Sequence, residues 1–530
     1  MRFSLLDDSL FRIRLSDESV EALTLPQILS VLSKEGIDLL SFEALQAHQQ
    51  QAWYSFLVQL AAMAVARETG GEHPTDPAGW RNALVGLAAD SEAAWHLVVD
   101  DPTKPAFLQS PVLEEAPDDA PMEEMLDDEG YKSDLASPDA LDMLVTSKNH
   151  DVKQHRISRP RPEHWIYALV TLQTLEGYMG RGNYGIVRMH GAYANRPLVG
   201  LTPELSWGER FRRDLTVLLD EREELSEDYD LHGPALLWTV PWDGSKEEAI
   251  WLYDCDPYFI EICRRIRFTV NGSLTCWRAT TKGQRVDAPG DLNGVTKDPW
   301  TPIQKEGGVK ALNVGGSGFT YRLLQDILFE GTYDRPPALT FEAGDDGGAY
   351  VIAQTLARGQ GKTEGLHRRV VFVPNRAKKR LLGTESERKR LGKRAQARVK
   401  RADDVQSQLL YPAIAILLGS GEGEDVDYED VAPWIDRFDR AVDDRFFEAL
   451  WTSVEEDMDE AEAKAHWESI LWDEAEPIFE DAERSTPIAD ARRWRARSRA
   501  RSLFYGQVRT VFESAPYTST DTSEPEHATT

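Results

Sequence analysis

Cysteine is nearly absent. Cys255, Cys263 and Cys276 are the only three in 530 residues, too few and too irregularly spaced for a zinc ribbon or a disulfide framework. A chain this poor in thiols fits a reducing cytoplasm. A long hydrophobic run is also missing: the longest apolar segment, residues 56–66, falls short of the roughly 20 residues that span a bilayer. Asp7 and Asp8 interrupt the apolar start of the chain, which therefore does not read as a secretory leader. Positive charge is the third shortage. Sixty Lys and Arg face 90 Asp and Glu, a net charge of -30, so bulk charge draws the molecule neither to nucleic acid nor to anionic membrane. Any contact with phosphates has to come from local basic patches. Signatures of chemistry are missing too. There is no HExxH, no GxSxG and no cysteine beside a base, and the eleven histidines are scattered, His150 and His155 being the closest pair. The expectation is a protein that is not an enzyme and has no cofactor and no metal.

What is present is ordinary globular text, long enough for two or three domains. Residues 3–15 alternate as a strand or hairpin does. Helical spacing appears over 19–32, over 41–67 with Trp53, Phe56, Leu57, Leu60 and Met63 on the apolar positions, and over 77–95, 162–176, 205–219, 257–265 and 321–329. Residues 267–282 read as a hairpin turned at Asn271-Gly272. Residues 113–129 are acid- and proline-rich and are expected to form a mobile surface insert that packs little. From residue 384 the pattern is purely helical, in segments 384–418, 427–454, 459–482 and 489–513 joined by short loops, which predicts antiparallel neighbours. The predicted fold class is α+β: a large mixed domain over 1–383, a four-helix bundle over 384–515, and a disordered tail over 516–530.

Two glycine-rich stretches carry the candidate site. Residues 356–369 read LARGQGKTEGLHRR, predicted as an exposed loop between a strand over 349–356 and another over 370–373. Gly359 and Gly361 flank Gln360, which would project from the tip, and Lys362 follows. The GKT triplet invites a phosphate-loop reading, but Leu356 stands where that motif needs glycine and no helix follows Thr363. Residues 177–191 hold five glycines, among them Gly177, Gly180, Gly182 and Gly185, interleaved with Arg181, Asn183 and Tyr184. A dinucleotide fingerprint follows a strand and opens a helix; this run follows a helix and opens strand-like text. Lys282 precedes Gly283 at the end of the predicted hairpin. Lys148, Asn149 and His150 form a polar, basic loop. Residues 376–401 are rich in Lys and Arg, and the last helix carries Arg492, Arg493, Arg495, Arg497, Arg499 and Arg501, which either meet the acidic helices beside them or face a polyanion.

Taken in order, FSLLDDSLFRI near the start, PAFLQ, GRGNYGIVRM, FTVNG with its following Lys-Gly, and RGQGKTEGLHRR resemble the CasA family, the large subunit of the type I-E CRISPR surveillance complex Cascade. The resemblance runs over nearly the whole chain. It implies a non-catalytic protein that recognises the protospacer-adjacent motif in double-stranded DNA, promotes duplex opening and R-loop formation, and helps recruit the helicase-nuclease. It implies as partners CRISPR RNA, the other Cascade subunits and target DNA, with no membrane. On this likeness the glycine loop is 177–185, the lysine finger is Lys282, and the glutamine wedge is Gln360 between Gly359 and Gly361. The guide-end loop holds Lys148, Asn149 and His150, and Arg492, Arg495 and Arg499 form a displaced-strand patch. The chain departs from some members in lacking a zinc-type cysteine cluster and in having Gly359 before the wedge. Two other readings stay open at this point: a metabolic enzyme with a Gly-rich ligand loop, and a scaffold subunit without DNA contact.

Overall fold

The structure, a computed structural model, describes every residue except 1–2, 37, 113–121, 144–155, 192, 330, 342–346, 360–361, 424 and 513–530; at 133–134 and 362–363 it describes the backbone only. The chain forms two compact units. The first comprises residues 1–319 and 330–372, the second residues 320–329 and 373–530.

In the first unit, Phe11–Leu15 points alternate side chains, Phe11, Ile13 and Leu15, into the core and pairs antiparallel with both Val20–Leu23 and Leu39–Phe42. The helix expected over 19–32 starts only at Leu25, because Thr24 and Gln27 cap it reciprocally; the residues before the cap are strand. Helix Gln50–Glu68 is buried continuously from Gln51 to Val65. Trp53 stacks on Phe56 at 5.5 Å and meets Tyr167 edge-on at 5.1 Å, joining this helix to helix Pro162–Leu175.

Residues 257–265, expected as a helix, begin with a turn at 257–258, where Asp256 accepts the N–H of Tyr258 and of Phe259, and then run without helix. Beyond the turn the backbone is claimed from outside: Ile260 N–H donates to Ala235, and Gln173 accepts from Cys263 and Arg264, so long-range partners replace intrahelical bonds. Buried arginines hold the irregular loops in the same way. Arg285 donates to the carbonyls of Leu237, Val240, Pro241 and Glu248, and Arg267 to those of Ser110, Asp101 and Lys104.

The second half of the acidic insert packs, against expectation. Met122–Asp128 is a helix whose Leu126 is fully buried against Val112, Tyr131 and Ala279, and Glu129 lies 3.6 Å from Arg265. Its first half lies outside the described residues. Two antiparallel hairpins complete the unit. Arg265–Asn271 and Ser273–Ala279 turn at Gly272. Ala349–Gly359 and Lys362–Val373 form a longer one, with Leu198–Thr202 added along the first arm, Tyr350 opposite Thr202 and Gln354 opposite Leu198.

The second unit contains helices Asn375–Leu382, Glu385–Val405, Tyr411–Leu418, Tyr428–Glu455, Glu460–Ser485 and Asp490–Val511. A single π-turn, Gln406–Leu410, joins the second to the third. Capping boxes at Thr384/Glu387 and Asp459/Glu462 fix two of the starts. Phe479 and Phe504 stack at 4.2 Å in its core. The boundary expected at residue 383 falls instead after Phe372, because Asn375–Leu382 buries Ala377 and Leu381 here, and Arg380 and Arg376 pair with Asp457 at 2.5 and 3.1 Å. Helix Tyr321–Leu328, which the linear reading gave to the mixed domain, also belongs to this unit. Tyr321 packs on Phe446 at 4.8 Å, and Arg322 pairs with Asp403 at 2.6 Å and with Asp439.

Candidate nucleic-acid interface

The glycine run begins where helix Pro162–Leu175 ends. Asn183 N–H donates to Gly180 and Met179 N–H to Asn183, closing a tight turn in which Gly180 and Gly182 hold φ of 99° and 87°. The turn is then folded back on its own start. A Cβ on Gly185 would lie 2.3 Å from the Gly177 carbonyl carbon and 2.4 Å from the Tyr178 nitrogen, so only glycine fits. Arg264 stitches the two ends together by donating to the carbonyls of Tyr184 and Gly177. Arg181 projects into solvent.

Two stretches nearly a hundred residues apart meet here. Thr281 N–H donates to the Gly182 carbonyl at 3.0 Å, and Tyr184 N–H donates to Thr281 Oγ1 at 3.3 Å. Arg278 donates to Asn183 Oδ1. Lys282, the next residue, is exposed, and its backbone N–H donates to Gly244 at 2.7 Å. The glycine turn and Lys282 therefore share one edge of the first unit.

The long hairpin is anchored to the same place. Arg358 and Glu176 form an ion pair at 3.4 Å with side chains 6% and 5% exposed, and Arg358 also donates to the Met143 carbonyl. Glu176 is the residue immediately before Gly177. The arm leading to Gly359 is thus fixed against the root of the glycine turn. Gln360 and Gly361 lie outside the described residues, as do Lys148, Asn149 and His150, and the side chain of Lys362 is not described. Sequence reading missed Glu176, Arg358, Arg264 and Arg278. The one available signal was a set of arginines inside otherwise apolar strand text, which implies buried partners.

Behind the turn, both Glu261 oxygens accept the Val187 N–H, at 3.1 and 3.2 Å. Burial raises the Glu261 carboxyl to about 8, against the pull of Arg188 and of that N–H. With the folded value near 8 and the unfolded value near 4.5, the native state keeps a proton that the unfolded chain has already lost. Stability therefore declines as pH rises between those values. Urea melts across that range should show this decline in the wild type and a flatter profile in Glu261→Gln; parallel profiles would refute the assignment.

The thiols of Cys255 and Cys263 are pushed by burial to about 12. Among the described residues no group of three His, Cys, Asp or Glu side chains could hold a metal ion, and no helix is long and apolar enough to cross a membrane.

The C-terminal arginines are largely engaged within the second unit. Arg501 pairs with Glu483 at 2.7 Å and Arg493 with Asp490 at 2.6 Å. Arg495 lies 3.8 Å from Glu422, and Arg499 and Arg497 donate to the carbonyls of Gly421 and Glu483. Arg492 is exposed, and beside it Trp494 is 85% exposed.

Comparison with protein-family models and with curated proteins finds no match. Solved structures do match, and over nearly the whole chain the fold is that of the CasA/Cse1 type of CRISPR-associated protein. Thermobifida fusca Cse1 superposes with a TM-score of 0.66 at 15% identity, over 97% of this chain and 99% of that one. CasA of Thermus thermophilus gives 0.61 at 15%, over 96% and 99%. A chain of a CRISPR RNA-guided surveillance complex gives 0.59 at 14%, over 95% and 99%. At these identities the likeness establishes the fold.

Proposed function

We propose that this chain is a CasA-family protein, the non-catalytic large subunit of a type I-E RNA-guided Cascade complex. It reads the protospacer-adjacent motif in double-stranded DNA, starts duplex opening and R-loop formation, and helps recruit the helicase-nuclease. The observation that carries the proposal is the convergence just described. The glycine turn, Lys282 and the arm that ends at Gly359 are joined through Gly182–Thr281 and Glu176–Arg358, on a fold shared with CasA/Cse1 proteins. The minor groove offers mostly acceptors and distinguishes few base pairs. An exposed lysine donor beside closely approaching backbone suits that groove and reads it loosely. Gln360, following Gly359, supplies the wedge. Strand exchange is close to balanced in pairing energy, so the protein has only to nucleate it. On the second unit, exposed Trp494 beside Arg492 and Arg495 is the kind of surface on which a displaced single strand stacks, and Arg499 extends it. The residues Lys148, Asn149 and His150 are assigned to the guide end. Partner subunits and local patches hold the phosphates that the net charge of -30 repels.

R-loop formation on fully paired and premelted targets tests the roles. Gln360→Ala should slow opening of paired DNA and leave premelted targets nearly unaffected, because a wedge offsets only the few kcal/mol of unstacking. Lys282→Ala should weaken motif discrimination on both, because it removes a groove donor. Equal defects of Gln360→Ala on the two substrates would rule out the wedge.

A further inference from the structure

Gln354 is out of place. It stands in the apolar run of strand Ala349–Gly359, AYVIAQTLARG, and is 4% exposed, yet its amide has no hydrogen-bond partner among the described residues. Burying an amide with its bonds unmade is costly. The side chain borders a cavity of about 50 Å³ in the first unit, so the amide faces a space and is not packed away.

Two guanidiniums border the same cavity. Alternation along the strand puts Gln354 on the face of Tyr350 and Ile352. Tyr350 meets Phe372 at 5.0 Å, so Arg368, four residues before Phe372, shares that face. Arg368 is exposed and has no partner among the described residues. Across from the strands stand Gln50 and Tyr54 of helix Gln50–Glu68, and Trp207 and Arg210 of helix Trp207–Glu221. The Arg210 guanidinium lies on the Tyr54 ring, 3.8 Å from its centroid. The Tyr54 hydroxyl donates to Asp214 at 2.8 Å and to the Arg210 carbonyl at 2.9 Å, which pins the ring to the helix that carries the arginine. Of the Arg210 nitrogens only Nη2 is enclosed; Nε and Nη1 keep surface and donate to no described residue.

Among the described residues no carboxylate lines the cavity, and the acids around it are committed elsewhere. Asp38 accepts the N–H groups of Gly208 and Leu39. Glu209 pairs with Arg212. Asp214 takes Tyr54, Trp300 and Arg213. The start of helix Trp207–Glu221 is thus already served by Asp38, and the unbalanced charge is that of Arg210 and Arg368.

We propose that this cavity is an oxyanion site that takes one phosphate group, with Arg210 and Arg368 as its charged donors and the Gln354 amide as the neutral donor at its floor. Two guanidiniums balance a phosphate dianion and suit its geometry. Donors from a helix and from two strands surround a tetrahedral ion better than a planar carboxylate. The small volume admits the phosphate and leaves no room for a base. The group is carried either by a nucleic-acid backbone or by a small free phosphate. This site shares no residue with the motif-reading edge, and its failure would leave that reading untouched.

Equilibrium dialysis of the full-length chain against radiolabelled orthophosphate, at constant ionic strength, should show saturable uptake of one equivalent. Arg368→Gln should weaken it about tenfold or more, as expected for losing a charge-assisted donor; its exposure keeps the fold out of the result. Gln354→Leu should weaken it several-fold while leaving the urea midpoint unchanged or higher, because leucine strands no amide. Lys379→Gln, an exposed site in the second unit, should change nothing. Absence of saturable uptake, or uptake that Arg368→Gln and Gln354→Leu both retain, would overturn the proposal. A lower urea midpoint in Gln354→Leu would show that the amide serves the fold and would remove it from the site. Displacement of bound phosphate by a short oligothymidylate would assign the backbone source, and failure of the oligomer to displace it the free one.

Discussion

Gly185→Ala should abolish motif-dependent DNA binding and cost the chain about 3 kcal/mol or more, the upper part of the range for overpacking. The added carbon would meet the backbone of Gly177 and Tyr178 at 2.3 to 2.4 Å. Neither contact is a side chain that can rotate away, so the turn has to open. Opening it pulls Tyr184 from Thr281 and the Gly182 carbonyl from the Thr281 N–H, separating the glycine turn from the strand end that carries Lys282. Gly180→Ala is the control. Space there is free, and only the positive φ of 99° resists, a cost of about 1 kcal/mol. Urea denaturation and motif-dependent binding of both variants measure the difference. If Gly180→Ala proves the more damaging, the close packing of the turn is not what matters.

The second large effect is expected at Arg358. Arg358→Met leaves the Glu176 carboxylate buried beside a thioether, and breaking one side of a buried pair costs about 3–5 kcal/mol. It also frees the arm leading to Gly359, so duplex opening should fall together with stability. Adding Glu176→Gln removes the stranded charge and should restore most of the stability, giving a coupling well above the few tenths expected of independent sites. Opening should stay impaired in the double variant, because the arm is still unanchored. Strict additivity of the two substitutions would show that the pair does not hold the hairpin.

Much of the second unit was legible because its signals are local. Thr384 with Glu387 and Asp459 with Glu462 announce helix starts within four residues of text, and the apolar spacing continues from there. The long hairpin was legible as two arms about a glycine-marked turn, but its arms run on through Gly359 and from Lys362, where an exposed loop was expected over most of 356–369. What failed was whatever depends on distant partners. Residues 257–265 carry helical spacing, yet the N–H groups of Ile260, Cys263 and Arg264 are taken by Ala235 and Gln173, which no local pattern reveals. Leu126 looked like a stray in an acidic insert until Val112, Tyr131 and Ala279 completed its cluster. Within the candidate site the individual glycines and Lys282 stood out by composition. Their grouping did not, because Glu176 and Arg358 are 182 residues apart and a glutamate at a helix end is usually solvated.

The placement of helix Tyr321–Leu328 has a consequence for synthesis. It is made before the helices that pack on it, Glu385–Val405 and Tyr428–Glu455. At about 5–20 residues per second, the apolar face formed by Tyr321, Leu324, Ile327 and Leu328 waits roughly 6 to 25 s for the second of them. A nascent chain stalled in that interval exposes a short greasy segment already tethered to a folding neighbour. Chaperone demand during translation should therefore peak there, well after the first sheet has closed.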